Sequence, residues 1–219
     1  IFKEGTQGVT VDLTSSTNNV VDAFGNTQSV STIEYVNATS MVDTITTNSL
    51  SNVINTYAGN DTVFASTGTD TYNGGADKDL LDYSNVSSDT TIQLNDNANV
   101  NGANQTIREF EDVRGGTGND NITGTSEDNS LYGNDGNDTI DAGAGADILN
   151  GDSGDDTLAG GEGNDTIDGG TTGETNGDYV SYEGRSDSII INLDASGNAT
   201  VNVGSSGEVD TVTNIENVL

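Results

Sequence analysis

Acidic and amide side chains recur in this chain every nine residues, which is the pattern of a repeated ligand site. The longer run consists of Glu111, Asp120, Asn129, Asp138, Asp147, Asp156 and Asp165. An upstream run consists of Glu34, Asp43, Asn52, Asp61, Asp70 and Asp79. Carboxylate and main-chain carbonyl oxygens are hard ligands, so the chemistry that this pattern supports is the binding of a hard cation.

The stretches that precede the best-matching aspartates are rich in glycine. They read GGTGNDNIT at Gly115–Thr123, GNDGNDTID at Gly133–Asp141, GDSGDDTLA at Gly151–Ala159 and GGEGNDTID at Gly160–Asp168. Glycine permits positive φ, so such a loop can turn its carbonyl oxygens inward beside the carboxylate. Several oxygen ligands in a flexible loop favour calcium over magnesium. The chain has no Cys and no His, which disfavours zinc, iron and copper sites.

The elements that must position these residues are strands. A nine-residue period does not match the face of an α-helix, and it predicts a solenoid in which each repeat is one strand and one turn. An apolar residue follows two positions after each acid, and these are Val113, Ile122, Leu131, Ile140, Leu149, Leu158 and Ile167. We therefore expect an all-β fold with one inward apolar side chain per repeat, which is a thin core.

The repeats resemble the RTX nonapeptide, GGxGxDxUx with U apolar, of calcium-binding secreted bacterial proteins. The resemblance implies a parallel β-roll with two nonapeptides per turn. A larger repeat in this sequence adds β-rich connector segments between the nonapeptide runs. The resemblance also implies two rows of calcium ions, each ion lying between loops that are two repeats apart. One row would contain Asp120, Asp138 and Asp156, and the other Asn129, Asp147 and Asp165.

The same resemblance supplies the candidate ligands. The carboxylates are Asp120, Asp138, Asp147, Asp156 and Asp165, with Asp61, Asp70 and Asp79 in the degenerate upstream run. The loop ligands are Gly116, Gly118, Gly133, Asp135, Gly136, Gly143, Gly145, Gly151, Gly154, Gly161 and Gly163. Loops that end at Asp43 and Asn52 contain no glycine, so little calcium binding is expected before Asp61.

Five segments are expected along the chain. They are a β-rich connector at 1–33, degenerate roll repeats at 34–82, a second connector at 83–110, the calcium-binding roll at 111–181 and a third connector at 182–219. The sequence leaves open whether the connectors are wider coils of the roll or β-hairpins packed on its side. Because the chain opens and closes within such a module, it reads as a portion of a longer tandem array. A bulging loop is expected at Gly169–Asn176, where the spacing of nine is lost.

The charge balance links folding to the metal. The net charge is −31, from 36 acidic and 5 basic residues. Stacked coils lie about 4.8 Å apart, and two bare carboxylates at that spacing repel by roughly 1 kcal/mol even in water. We expect the calcium-free chain to be disordered or molten and the free energy of ion binding to drive folding. This charge also disfavours nucleic acid and anionic membranes as partners.

Two functional hypotheses remain open at this point. One is a calcium-stiffened repeat region of a secreted adhesin or surface-layer-type protein, located extracellularly on the bacterial surface after type I secretion. The alternative is a non-catalytic accessory module of a secreted protease, lipase or alginate epimerase. No enzyme activity is expected, because the chain has no His and no G-x-S-x-G motif. Self-association or a cell-surface polysaccharide ligand stays open, and no membrane insertion is expected.

The sequence also predicts roles for four basic residues and two tyrosines. Lys78, Arg108, Arg114 and Arg185 are expected to balance the acidic charge at the edges of the solenoid. Tyr83 and Tyr182, which follow the two runs at equivalent places, are expected to cover the ends of the roll.

Overall fold

The regular structure of the described residues consists entirely of β-strands. The computed structural model describes residues 7–15, 17, 19–193, 198–204 and 207–219. The sequence also predicts a turn at Ser196-Gly197-Asn198, of which Ser196 and Gly197 lie outside the described residues. Within the part that is described, no helix is long and apolar enough to cross a membrane.

The strands are short and follow one another at regular intervals. They are β1 (Thr10–Asp12), β2 (Val20–Val21), β3 (Thr27–Gln28), β4 (Tyr35–Asn37), β5 (Thr44–Thr46), β6 (Val53–Ala58), β7 (Thr62–Phe64), β8 (Thr71–Ala76), β9 (Leu80–Asp82), β10 (Thr90–Gln93), β11 (Asn97–Val100), β12 (Ala103–Arg108), β13 (Asp112–Arg114), β14 (Asn121–Thr123), β15 (Ser130–Asp135), β16 (Thr139–Asp141), β17 (Ile148–Ser153), β18 (Thr157–Ala159), β19 (Thr166–Thr172), β20 (Tyr179–Val180), β21 (Ile189–Leu193), β22 (Ala199–Val203), β23 (Glu208–Thr213) and β24 (Asn217–Val218).

Successive strands of the roll alternate between two sheets, whereas the three strands of each connector lie together in one sheet. Sheet 1 has the order β21-β22-β23-β19-β17-β15-β13-β9-β7-β5-β1-β2-β3, and sheet 2 has the order β24-β20-β18-β16-β14-β10-β11-β12-β8-β6-β4. In the roll each strand pairs in parallel with the strand two repeats away, as in Leu131 with Leu149 and Ile140 with Leu158. One coil is therefore two nonapeptides, which confirms the predicted parallel β-roll.

The core is the narrow space between the two sheets. Side chains alternate between the two faces of a strand, so the central residue of each three-residue repeat strand faces inward. Ile122, Leu131, Ile140 and Leu149 are all buried, as are the equivalent residues of the upstream run. Each coil thus adds one apolar side chain from each sheet, and these stack into a continuous column.

The connectors belong to the sheets. Strands β10, β11 and β12 form an antiparallel meander that lies within sheet 2 between β14 and β8. At the same level in sheet 1, β9 pairs directly with β13. The arrangement combines the two alternatives that the sequence left open: the strands form hairpins, and those hairpins continue the sheet of the roll.

Both terminal connectors repeat this construction in sheet 1. The meander β21-β22-β23 joins the roll through parallel pairing of β23 with β19. The meander β1-β2-β3 joins it through parallel pairing of β1 with β5. Tyr83 and Tyr182 are buried where a connector meets a roll, and their hydroxyls donate hydrogen bonds to Gln105 and Asp210.

Adjacent residues on β17 provide a matched test of the core. Leu149 is 1% exposed and Ile148 is 48% exposed. We expect Leu149→Ala to lower the free energy of unfolding by about 2–5 kcal/mol, because it leaves a cavity in the column. Ile148→Ala is expected to change it by roughly 0.5 kcal/mol or less. Urea denaturation at saturating calcium measures both, and equal losses would contradict the inward and outward assignment.

Candidate metal centre

The acidic and amide residues line both edges of the roll, each directly before a strand except Asp210, which lies within β23. The row that precedes the strands of sheet 1, here the first row, contains Asp43, Asp61, Asp79, Glu111, Asn129, Asp147, Asp165 and Asp210. The second row precedes the strands of sheet 2 and contains Glu34, Asn52, Asp70, Asp120, Asp138, Asp156, Asp178 and Glu216. The structure thus brings together the two sets of residues that the sequence assigns to separate rows.

One oxygen of each stacked carboxylate is held by the main chain of the neighbouring coil. In the second row, the amide N–H of Asp120 donates to Asp138 Oδ1 at 2.7 Å, and that of Asp138 donates to Asp156 Oδ1 at 2.7 Å. In the first row, the amide N–H of Asp147 donates to Asp165 Oδ1 at 3.0 Å. These bonds fix the side-chain rotamers, so the second oxygen of each carboxylate has a defined direction.

That second oxygen is buried and has no hydrogen-bond partner at seven aspartates of the described chain. They are Asp61, Asp79, Asp138, Asp147, Asp156, Asp165 and Asp178, in each case at Oδ2. A buried acceptor with no donor costs about 1–3 kcal/mol, and more when it is charged. A bound cation is the partner that satisfies such an oxygen, so these seven residues fit a metal site.

Glycines keep open the space in front of five of these oxygens, those of Asp79, Asp138, Asp156, Asp165 and Asp178. A Cβ added to Gly133 would collide with Asp138 Oδ2 and with the carbonyl oxygen of Gly151. A Cβ on Gly151 would likewise meet Asp156 Oδ2 and the carbonyl oxygen of Gly169. A carboxylate oxygen and a main-chain carbonyl of the next coil therefore border one space, and this all-oxygen donor set suits calcium.

The inner loop glycines serve close packing of successive coils. Gly136 and Gly154 have φ of 128° and 136°, a region that disfavours side chains. A Cβ on either would also strike a carbonyl of the preceding coil, and the same holds for Gly143, Gly145, Gly161 and Gly163. Gly116 and Gly118 are crowded by the main chain of the connector, near Val86 and Ser88. Asp135, the last residue of β15, is exposed.

Two of the proposed ligands have a different setting, because protein donors reach both of their oxygens. Asp120 accepts hydrogen bonds from Thr90 at Oδ1 and from the amide N–H of Gly116 at Oδ2. Asp70 accepts from the amide N–H of Asn52 at Oδ1 and from the Tyr72 hydroxyl at Oδ2. Both residues lie where the second row meets the connector 83–110. On each side of this connector the row therefore ends at an aspartate whose two oxygens already accept hydrogen bonds from the protein.

Gln105 places an amide where other coils offer space to a cation. Its Nε2 donates to the carbonyls of Ser66 at 2.7 Å and Gly68 at 2.8 Å, and to Asp70 Oδ2 at 3.2 Å. Sequence reasoning missed this residue because it lies in a connector, 35 positions from Asp70. No local pattern marks it.

Asp178 was also missed as a site residue. The amide N–H of Asp156 donates to Asp178 Oδ1 at 2.7 Å across 22 residues, whereas the two preceding steps, from Asp120 to Asp138 and from Asp138 to Asp156, span 18. The difference comes from the bulging loop after β19, which carries the chain outward before Asp178. The acid followed by an apolar residue two positions later, Val180, was the available signal.

A comparison with protein families agrees with this geometry. The model of the RTX calcium-binding nonapeptide repeat (4 copies) matches residues 46–81, 114–149 and 142–171. The chain carries RTX calcium-binding nonapeptide repeats. The RTX repeat is a structural module that binds Ca²⁺ and is typical of secreted bacterial proteins. The matches include part of the degenerate run and omit the connector between the two rolls. None of the curated proteins matches this chain.

The electrostatics of the RTX rows oppose ionisation when no metal is bound. The pKa of Asp138 is raised to about 8, first by burial and then by the negative charges of Asp156 and Asp120. The pKa of Asp165 is raised to about 7 by burial and by Asp210 and Asp147. In the first roll, burial and the charges of Asp43 and Asp79 raise the pKa of Asp61 to about 7. A divalent cation removes both causes, because it replaces lost hydration and screens the stacked charges.

Asp138 and Asn129 allow a test of the ligand assignment. Asn129 is satisfied without metal, since its Oδ1 accepts from Thr125 and its Nδ2 donates to the Glu111 carbonyl. We expect Asp138→Ala to raise the calcium concentration at the folding midpoint by about tenfold or more, because Asp138 can serve ions on both sides. Asn129→Ala is expected to shift this midpoint by less than about twofold. Calcium titrations monitored by circular dichroism compare the two, and equal shifts would refute the assignment.

The raised pKa values also predict how the calcium-free chain responds to pH. A group whose pKa rises on folding, as for Asp138 from 3.8 to about 8, favours the folded state below 3.8 and loses that contribution as the pH rises through 8. We therefore expect the chelated protein to gain β-structure at about pH 4 and to lose it by about pH 8. Far-UV circular dichroism measures this change, with light scattering as the control for aggregation near the isoelectric point. A coil spectrum across the whole range would contradict it.

Proposed function

We propose that this chain is a calcium-stiffened structural segment of a larger secreted bacterial protein of adhesin or surface-layer type, with no catalytic activity of its own. The observation that carries the proposal is the set of seven buried carboxylate oxygens that have no hydrogen-bond donor. They recur along a roll whose two sheets continue through the connectors. This arrangement ties the rigidity of the whole segment to a bound cation.

The ions act by changing the free energy of folding. Without them, the stacked carboxylates repel, and a core of one apolar residue per repeat does not compensate. With them, carboxylates and loop carbonyls of adjacent coils share a ligand, and the binding free energy stabilises the folded state. A chain of this kind stays unfolded at cytosolic calcium levels and folds outside the cell, which suits type I secretion.

The proposed carboxylate ligands are Asp61, Asp79, Asp138, Asp147, Asp156 and Asp165, with Asp178 added to them. Asp70 and Asp120 are proposed to lie at row ends, where protein donors already satisfy them. Carbonyls of the loop glycines complete the coordination. The degenerate upstream run therefore takes part through Asp61 and Asp79, although its loops carry fewer glycines than the consensus.

The shape of the molecule supports a spacer role. Eleven strands stack in sheet 2, and at about 4.8 Å per strand they form a rod about 50 Å long. Parallel pairing along both sheets resists bending in the calcium-bound state. Such a rod suits the spacing of binding domains from a cell surface, or the linking of subunits by self-association. The strongly acidic surface makes nucleic acid and anionic membranes unsuitable partners.

Removal of the metal tests this function. We expect chelation at pH 7.5 to convert the β-sheet circular dichroism spectrum to that of a coil, and calcium to restore it cooperatively. Magnesium at the same concentration is expected not to restore it, because it demands compact octahedral geometry. A β spectrum that persists in chelator and does not change with calcium would show that the apolar core stabilises the roll without metal, and the proposal would fail.

A further inference from the structure

The strongest unassigned feature lies at the C-terminal end of the roll, outside the residues that match the RTX family. Glu174, Asp178 and Glu216 each place a carboxylate oxygen within 4.8 Å of the other two. Glu174 comes from the bulging loop, and Glu216 precedes β24 in the last connector. The family match ends at residue 171, so no nonapeptide supplies these three side chains as a set.

A second observation points to a ligand at this cluster. Asp178 is fully buried, and its Oδ2 has no hydrogen-bond partner. A Cβ on Gly169 would collide with this oxygen and with the carbonyl oxygen of Asn214. The unpartnered oxygen and the Asn214 carbonyl thus border one space, beside the segment that carries Glu216.

Comparison with the first junction between roll and connector shows what differs here. At both junctions a glutamate takes the place of the next aspartate of its row. The amide N–H of Asp79 donates to Glu111 Oε2 at 2.9 Å, and that of Asp178 donates to Glu216 Oε2 at 2.8 Å. The strands that follow pair in the same register, β9 with β13 and β20 with β24.

The charges around the two junctions differ. At the first junction Lys78 precedes Asp79, and its ammonium group forms an ion pair with Asp112 at 3.0 Å. At the second junction the position before the aspartate is Gly177, and a third carboxylate, Glu174, is added to the pair. Both junctions have a buried, unpartnered aspartate oxygen, but only at the first does a lysine directly precede that aspartate.

We propose that Glu174, Asp178 and Glu216, with the Asn214 carbonyl, bind one further calcium ion that ties the bulging loop to the final strand. Glu174 is half-buried and Glu216 is exposed, so water completes the coordination, as calcium with its six to eight oxygen ligands allows. The ion offsets negative charge at this junction, as Lys78 does for Asp112 at the other. This inference rests on the proposed calcium-dependent function, and it adds a site that the repeat motif does not encode.

The deciding experiment counts calcium ions per chain by equilibrium dialysis of the whole protein at pH 7.5. Glu174→Gln removes one carboxylate without touching the row of hydrogen bonds, and we expect it to bind one ion fewer than the wild type. Glu174→Lys places a cation at the second junction and is expected to lose the same ion while keeping the calcium-dependent β spectrum. Glu183→Gln, an exposed acid, is the matched control and should leave the count unchanged.

Each outcome decides the question. An unchanged count in both Glu174 variants would overturn the site while leaving the proposed function intact. Loss of several ions together with the β spectrum would also overturn it, because no separate local site would then exist. If the wild type itself takes up no calcium, the proposed function fails along with the inference, so the two failures can be told apart.

Discussion

Each coil of this protein buries a carboxylate that stacks on the carboxylate of the next coil, and the rest of the structure depends on how that charge is held. One oxygen accepts a main-chain N–H from the adjacent coil, as Asp156 does from Asp138. At seven of the described aspartates the other oxygen meets no donor, and at five of these it lies against a glycine. The hydrogen bond fixes the geometry and leaves half of each of these carboxylates unsatisfied, and we propose that a calcium ion is the missing partner. The glycine-rich loops and the large negative charge are consequences of building many such sites in a row.

The rows end where the protein supplies its own donors. Gln105 and Tyr72 satisfy Asp70, and Thr90 with Gly116 satisfies Asp120. The Tyr182 hydroxyl does the same for Asp210 at the end of the first row. A neutral donor adds no charge but satisfies the acceptor permanently, whereas a cation does so only when calcium is present. The connectors therefore bound the segments whose stability we propose to depend on calcium.

The connectors also preserve the continuity of the roll. Because their meanders replace coils in one sheet while the other sheet continues by direct pairing, the apolar column passes through the junction without a break. Phe110 and Ile107 fill it there and are fully buried. At these junctions glutamate replaces aspartate in the row, and its longer side chain still reaches the amide N–H of the preceding coil. The extra methylene group of glutamate therefore preserves this hydrogen bond where the path of the chain changes.

The sequence alone determined the repeating part of this protein. Its nine-residue period predicts the coil, the apolar residue two places after each acid predicts the inward face, and the oxygen-only ligands predict calcium. These inferences succeed because they depend on local geometry, in which strand and turn repeat over a few residues. Which carboxylates already have partners was decided by the tertiary structure, since Gln105, Asp210 and Glu216 reach the rows from connectors. Asp210, for example, accepts a hydrogen bond from the amide N–H of Asp165 across 45 residues. Such a contact depends on how a meander joins the sheet, and no periodic pattern in the sequence indicates it.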